Sequence, residues 1–64
     1  MELRTYYDKK VRIVTTHGVT YSGTVGDYFF PDDNESNIES IVIDTLDGDI
    51  VELTKEDIET ITVL

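Results

Sequence analysis

Sixty-four residues are enough for one domain, read here over 1–64, and at that size folding buries only about 60% of the unfolded chain's surface, so the core is small. The absence of cysteine excludes a disulfide framework, a thiolate zinc site and a thiol nucleophile. Fourteen acidic side chains against five basic ones give a net charge of −9. The charge is also unevenly placed: residues 1–12 carry four positive groups (Arg4, Lys9, Lys10, Arg12) and two negative, net +2, whereas residues 13–64 carry one (Lys55) and twelve, net −11. Such a field repels a phosphate backbone and disfavours nonspecific nucleic-acid binding. The plain reading of the acid excess is a solvated surface that keeps a small protein soluble. No apolar run approaches the ~20 residues of a membrane span, and MELRTYYDKK lacks the apolar segment of a signal peptide. The expected location is cytoplasmic, without a membrane partner.

In chain order, the first eight residues are expected to form a short N-terminal helix or an arm, with Leu3 and Tyr7 at i, i+4. KKVRIVTT alternates Val11 and Ile13 against Arg12, the pattern of a half-buried strand. His17-Gly18 separates this run from the next and predicts a two-residue hairpin turn. Val19, Tyr21, Gly23 and Val25 then share a face, but Tyr28, Phe29 and Phe30 fit no single parity with them. A bulge or bend near Gly26 would reset the register. Glycine in a strand interior marks a bend, a bulge or a close backbone approach.

PDDNESN, residues 31–37, has nothing to bury and reads as a loop. ESIVIDTL, residues 39–46, is apolar on both parities at Ile41, Val42 and Ile43, as for a central strand covered on two sides. Asp47-Gly48 signals a second hairpin before DIVEL, residues 49–53. Thr54-Lys55-Glu56-Asp57 has the form of a helix start, but with chain for only one turn before IETITVL resumes strand alternation; a 3-10 turn fits. Five short strands, two tight turns, one longer loop and one helical turn describe an all-β fold, a small and strongly bent barrel. One long strand shared by both halves would turn its corner at the glycines. Gly18, Gly23, Gly26 and Gly48 are therefore read as backbone geometry.

Residues 11–28, read as V-x-I-x-x-x-x-G-x-x-Y-x-G-x-V-x-x-Y, resemble the first half of an Sm-like (LSm) domain, with Gly18, Gly23, Val25 and Tyr28 carrying the match. DGDIVELTKEDIETITV, with Ile58 and Ile61 three apart, resembles the second half. Together these span residues 9–63. The resemblance implies a five-stranded, open SH3-like barrel and homo-oligomeric assembly, in rings, through pairing of the fourth strand of one subunit with the fifth of the next. It places Ile50, Val51, Leu53, Ile61 and Val63 at a subunit interface. It also assigns Asp33, Asn34 or Asn37 to polar contacts with a base, Tyr28 or Phe30 to stacking, and Lys55 to the neighbouring cation. The Arg-Gly pair that RNA-binding members carry before the last strand has no counterpart here.

Catalytic and metal chemistry find little support. His17, the only histidine, has no nucleophile motif beside it, so a turn role suffices. Asp32, Asp33, Asn34 and Glu35 lack the alternation and central glycine of a calcium loop. No phosphate-binding glycine loop is present. No cofactor, metal site or enzyme activity is expected. The sequence is thus read as a non-enzymatic binding or assembly module that forms homo-oligomers through strand edges, with a protein partner also compatible and an RNA-binding Sm-like protein as the alternative.

Overall fold

The computed structural model describes residues 2–64. Five antiparallel strands form one sheet in the order β4-β3-β2-β1-β5: β1 Lys10–Thr15, β2 Thr20–Phe29, β3 Ser40–Thr45, β4 Ile50–Thr54 and β5 Ile58–Val63. Short 3-10 turns occupy Leu3–Tyr6, Pro31–Asp33 and Lys55–Asp57. The fold is all-β, as the alternation predicts. Among the described residues, β4 and β5 each have a single neighbour and end the sheet.

Alternating side chains supply the core. Val11, Ile13, Val25, Ile41, Ile43, Leu53 and Ile58 bury one face of the sheet, and Leu3 closes over it from the N-terminal turn. Burying a leucine contributes about 1.5–3 kcal/mol, which fixes this short turn to the sheet. A 3-10 turn repeats every three residues, so Leu3 shares its side with Tyr6, which packs on the core, while Tyr7 is exposed. The expected Leu3–Tyr7 pairing is therefore replaced by Leu3–Tyr6.

Both hairpin turns have three residues rather than two. Thr16-His17-Gly18 is closed by Thr15 N–H donating to the Val19 carbonyl at 2.8 Å, and Leu46-Asp47-Gly48 by Thr45 N–H to the Asp49 carbonyl at 2.9 Å. Only the glycine of each adopts positive φ, +80° at Gly18 and +90° at Gly48, the position that such a loop reserves for it. The preceding threonines reinforce both turns: Thr15 Oγ1 accepts from His17 and Val19 N–H, and Thr45 Oγ1 accepts from Asp49 N–H.

β2 is the shared strand. Its first half, Thr20–Thr24, pairs with β1, and Gly23–Phe29 pairs with β3. At the overlap, a Cβ on Gly23 would overlap the Asp44 carbonyl oxygen. The register shifts between Val25 and Asp27, making Gly26 the extra residue of a bulge. Parity is reset there: Val25 faces the core before it, and Tyr28, opposite buried Ile41, faces the core after it. β3 lies inside the sheet, but β2 takes the centre, and Val42 is only half-buried because its face is shared with Asp27 and Glu52.

The two strand glycines separate by substitution. Gly23→Ala forces a side chain into main chain and should cost about 2–3 kcal/mol. A Cβ at Gly26 meets only the Asp44 side-chain oxygen, at 2.8 Å, which can rotate away, so Gly26→Ala should change stability by less than about 1 kcal/mol. Urea denaturation of both variants checks the difference.

Candidate functional site

The parity reset delivers Tyr28 to a polar cluster centred on Glu39. Its hydroxyl donates to Glu39 Oε2 at 2.7 Å, and the other oxygen of that carboxylate accepts Leu3 N–H at 3.2 Å. The bond to Glu39, then partial burial and the carboxylate's charge, push the Tyr28 phenol up to about 12. The same bond, assisted by Leu3 N–H and by the charge of Lys55, holds the Glu39 carboxyl below its ordinary value despite partial desolvation. Lys55 is also tied to this residue by its main chain, its N–H donating to the Glu39 carbonyl at 2.9 Å.

Phe30 stands edge-on to Tyr28, ring centroids 5.1 Å apart at 84°, a favourable T-shaped arrangement. Tyr28 packs on the core and Phe29 is half-buried, but Phe30 is 54% exposed. The polar loop candidates divide. Asn34 Nδ2 donates to the Ile38 carbonyl at 2.7 Å and to Ser40 Oγ at 3.1 Å, and Ser40 Oγ donates to Glu52 Oε2 at 2.9 Å. Asn37 holds φ +58°, a left-handed conformation that asparagine tolerates, with its N–H on the Asn34 carbonyl. Both asparagines thus already shape the loop. Asp33 and Lys55 are exposed. The structure brings Tyr28 and Phe30 together, with Lys55 on the Glu39 side. Glu39, the centre of the cluster, gave no sequence signal, since one carboxylate before an apolar strand looks like any surface acid.

The second candidate region is the pair of sheet ends. Lys55 N–H to the Glu39 carbonyl and Thr45 N–H to the Asp49 carbonyl fix the alternation along β4. Val51 and Leu53 turn their main chain toward β3, while Ile50 and Glu52 turn theirs outward. Thr54 N–H, also outward, is taken by Asp57 Oδ2 at 2.9 Å. On β5, Leu64 N–H to the Lys10 carbonyl sets the outward main chain at Ile61 and Val63. The side chains are aliphatic and incompletely covered: Ile50 is 75% and Val63 52% exposed, and Val51 and Ile61 are half-buried against the core. Leu53 is buried and supports the edge from beneath.

Two shallow clefts, of about 310 and 300 Å³, lie beside these features. One sits between Thr20–Ser22 and the β3–β4 turn; the other is lined by His17, Val19, Tyr21, Val51, Leu53 and the acids Glu52 and Asp57. No group of three histidines or carboxylates converges among the described residues. Comparison with family models, curated proteins and solved structures finds no match to this chain.

Titration tests the Tyr28–Glu39 bond. Glu39 is depressed in the folded protein, so its contribution to stability is present above the unfolded value and is lost as pH falls through the folded one. Tyr28 is raised, so its contribution is complete below pH 10 and is lost as pH rises toward about 12. Tyr28→Phe should lower stability by about 1–2 kcal/mol near neutrality and flatten both limbs of the pH–stability curve. Ultraviolet titration should show a late phenol in the wild type, near 12, that Tyr28→Phe removes.

Proposed function

We propose that this chain is a non-enzymatic assembly module: a small, strongly bent barrel of Sm-like type that joins copies of itself by pairing the free edge of β4 with the free edge of β5. The observation that carries the reading is the state of the two sheet ends. Each presents unpaired main chain together with incompletely covered aliphatic side chains, Ile50 and Val51 on one and Ile61 and Val63 on the other. Proteins that remain monomeric blunt such edges with proline, lysine or inward charges. Neither β4 nor β5 contains proline or lysine. The strand order, the bulged and shared β2, and the 3-10 turn before β5 support the barrel reading, and a head-to-tail contact between unlike edges closes into rings when its rotation permits.

One observation favours a second reading, RNA binding. Phe30 exposes an aromatic edge beside Tyr28, with Lys55 and Arg4 acting electrostatically on the same cluster, and an aromatic ring with cations is a stacking platform for single strands. The Glu39 carboxylate inside the cluster and the net charge of −9 oppose it.

Salt separates the two. Copies carrying like charge repel, so raising salt from about 50 to about 500 mM should strengthen self-association, whereas oligouridine binding should weaken steeply. Native mass spectrometry across that range, with and without short RNA, reads both; a strictly monomeric protein at high concentration would remove the assembly reading.

A further inference from the structure

The N-terminal 3-10 turn carries its own hydrogen bonds: Thr5 N–H and Oγ1 both donate to the Glu2 carbonyl, and Tyr7 N–H donates to the Arg4 carbonyl. Its attachment to the sheet is of another kind. Leu3 is fully buried in the core, Tyr6 packs beside it and, among the described residues, one hydrogen bond joins residues 2–6 to the sheet, Leu3 N–H to Glu39 Oε1 at 3.2 Å. We infer that this turn is an exchangeable plug: two copies of the chain trade their N-terminal turns, each seating its Leu3 in the other's core, and so form a symmetric dimer. Such an exchange uses neither β4 nor β5.

The hinge between turn and sheet is short and strained. Tyr7 is extended, φ −54° and ψ 133°, and Asp8 turns the chain back at φ +65°. A left-handed aspartate is costlier than a glycine, and a short hinge under strain invites exchange between copies. The hinge side chains do not hold the turn in place, since Tyr7 is 56% exposed and Asp8 is exposed. Opening the hinge breaks the bond across it, Lys9 N–H to the Tyr6 carbonyl at 3.0 Å, and turns Asp8 N–H away from the Val25 carbonyl. Against that loss, Asp8 relaxes to an extended conformation, and the contacts of Leu3 and Tyr6 with the core are remade in the other copy.

Reach and fit both favour a second copy as the occupant. Residues 3–8, extended at about 3.3 Å per residue, span about 20 Å, and the molecule measures 29 × 23 × 20 Å. Two copies that meet at their N-terminal ends can therefore trade turns about a two-fold axis, which closes the assembly at a dimer. A foreign aliphatic segment would have to fill the place of Leu3 and also present an N–H to Glu39, whereas the turn of a second copy does both by identity. In the dimer the Glu39 carboxylate accepts the Tyr28 hydroxyl of its own chain and Leu3 N–H of the other. Arg4, whose charge acts on Tyr28, arrives with that turn, so the Tyr28–Glu39 cluster is built from two chains.

Substitution at the hinge tests the exchange in the full-length chain. Asp8→Val disfavours the left-handed conformation and Asp8→Gly relieves it; both remove the same charge, so the difference between them reads the backbone. Each dimer holds two hinges, and Asp8→Val should therefore dimerise at least about ten-fold more tightly than Asp8→Gly in sedimentation or native mass spectrometry. Deletion of Tyr7 leaves the turn too little chain to fold back on its own core and should also give a dimer. In a dimer mixing isotope-labelled and unlabelled copies, nuclear Overhauser effects should connect the Leu3 methyls of one copy to core methyls of the other. Equal dimerisation of the two Asp8 variants overturns the exchange. So does a dimer whose Leu3 effects all lie within one chain, a result that leaves edge pairing standing. Where Asp8→Val fails to fold, the Tyr7 deletion decides alone, and a monomer overturns the proposal.

Discussion

The approach of β2 to the main chain of β3 at Gly23 governs the rest of the molecule. A side chain there would occupy the place of the Asp44 carbonyl oxygen. Its absence lets two strands come together at the point where β2 leaves β1 and continues with β3. Three residues later the Gly26 bulge shifts parity by one, and that shift decides which of the following aromatics turns inward. Tyr28 does, and its hydroxyl reaches Glu39, which in turn holds Leu3 N–H. The buried Leu3 lid, the carboxylate and the aromatic pair thus depend on one missing Cβ and one extra residue. Neither feature has any chemistry of its own.

Much of this architecture was legible because it is written in alternation. Val11 and Ile13, and Ile41 and Ile43, occur at strand spacing, and Thr54 with Asp57 marks a helical turn with too little chain to extend. The conflict of parity across Gly26 pointed to the bulge itself. The turn positions are legible but their length is not, since the glycine pairs do not say that the Thr15 and Thr45 main chains close the loops onto Val19 and Asp49 and thereby include Thr16 and Leu46. Leu3 and Tyr7 suggest a period near four in the N-terminal segment, whereas the burial of Leu3 and Tyr6 follows a period of three. The candidate site was less legible. Tyr28 and Phe30 stood out as aromatics, but the residue that organises them, Glu39, is eleven positions from Tyr28 and acquires meaning only from the β2–β3 pairing. The bonds of Asn34 to Ile38 and Ser40 and the left-handed backbone of Asn37 have no signal in the sequence beyond residue type.

Charge and edge chemistry pull in opposite directions. The excess of carboxylates acts over distances near a Debye length, about 8–10 Å at physiological salt, and keeps copies apart. The edge groups act only at contact and favour pairing. A like-charged protein whose edges carry one carboxylate each, Glu52 and Glu59, resists indiscriminate stacking without blocking a matched approach. If copies pair as proposed, such a balance would make ionic strength a control on assembly.

The aromatic loop and the β4 edge are not independent surfaces. Ser40 is fully buried, and its hydroxyl both accepts from Asn34 Nδ2 and donates to the Glu52 carboxylate. A buried hydroxyl with both roles filled resists losing either partner, because the vacancy leaves an unsatisfied polar group at a cost of about 1–3 kcal/mol. The orientation of Glu52 at the sheet end is therefore linked to the conformation of residues 31–38. A ligand that rearranged this loop around Phe30 would withdraw Asn34 from Ser40 and loosen the hold on Glu52, the one charged side chain among the four residues that offer free main chain for pairing. Binding at the loop and pairing at the edge would then share a free energy through three side chains, and the coupling would be reciprocal.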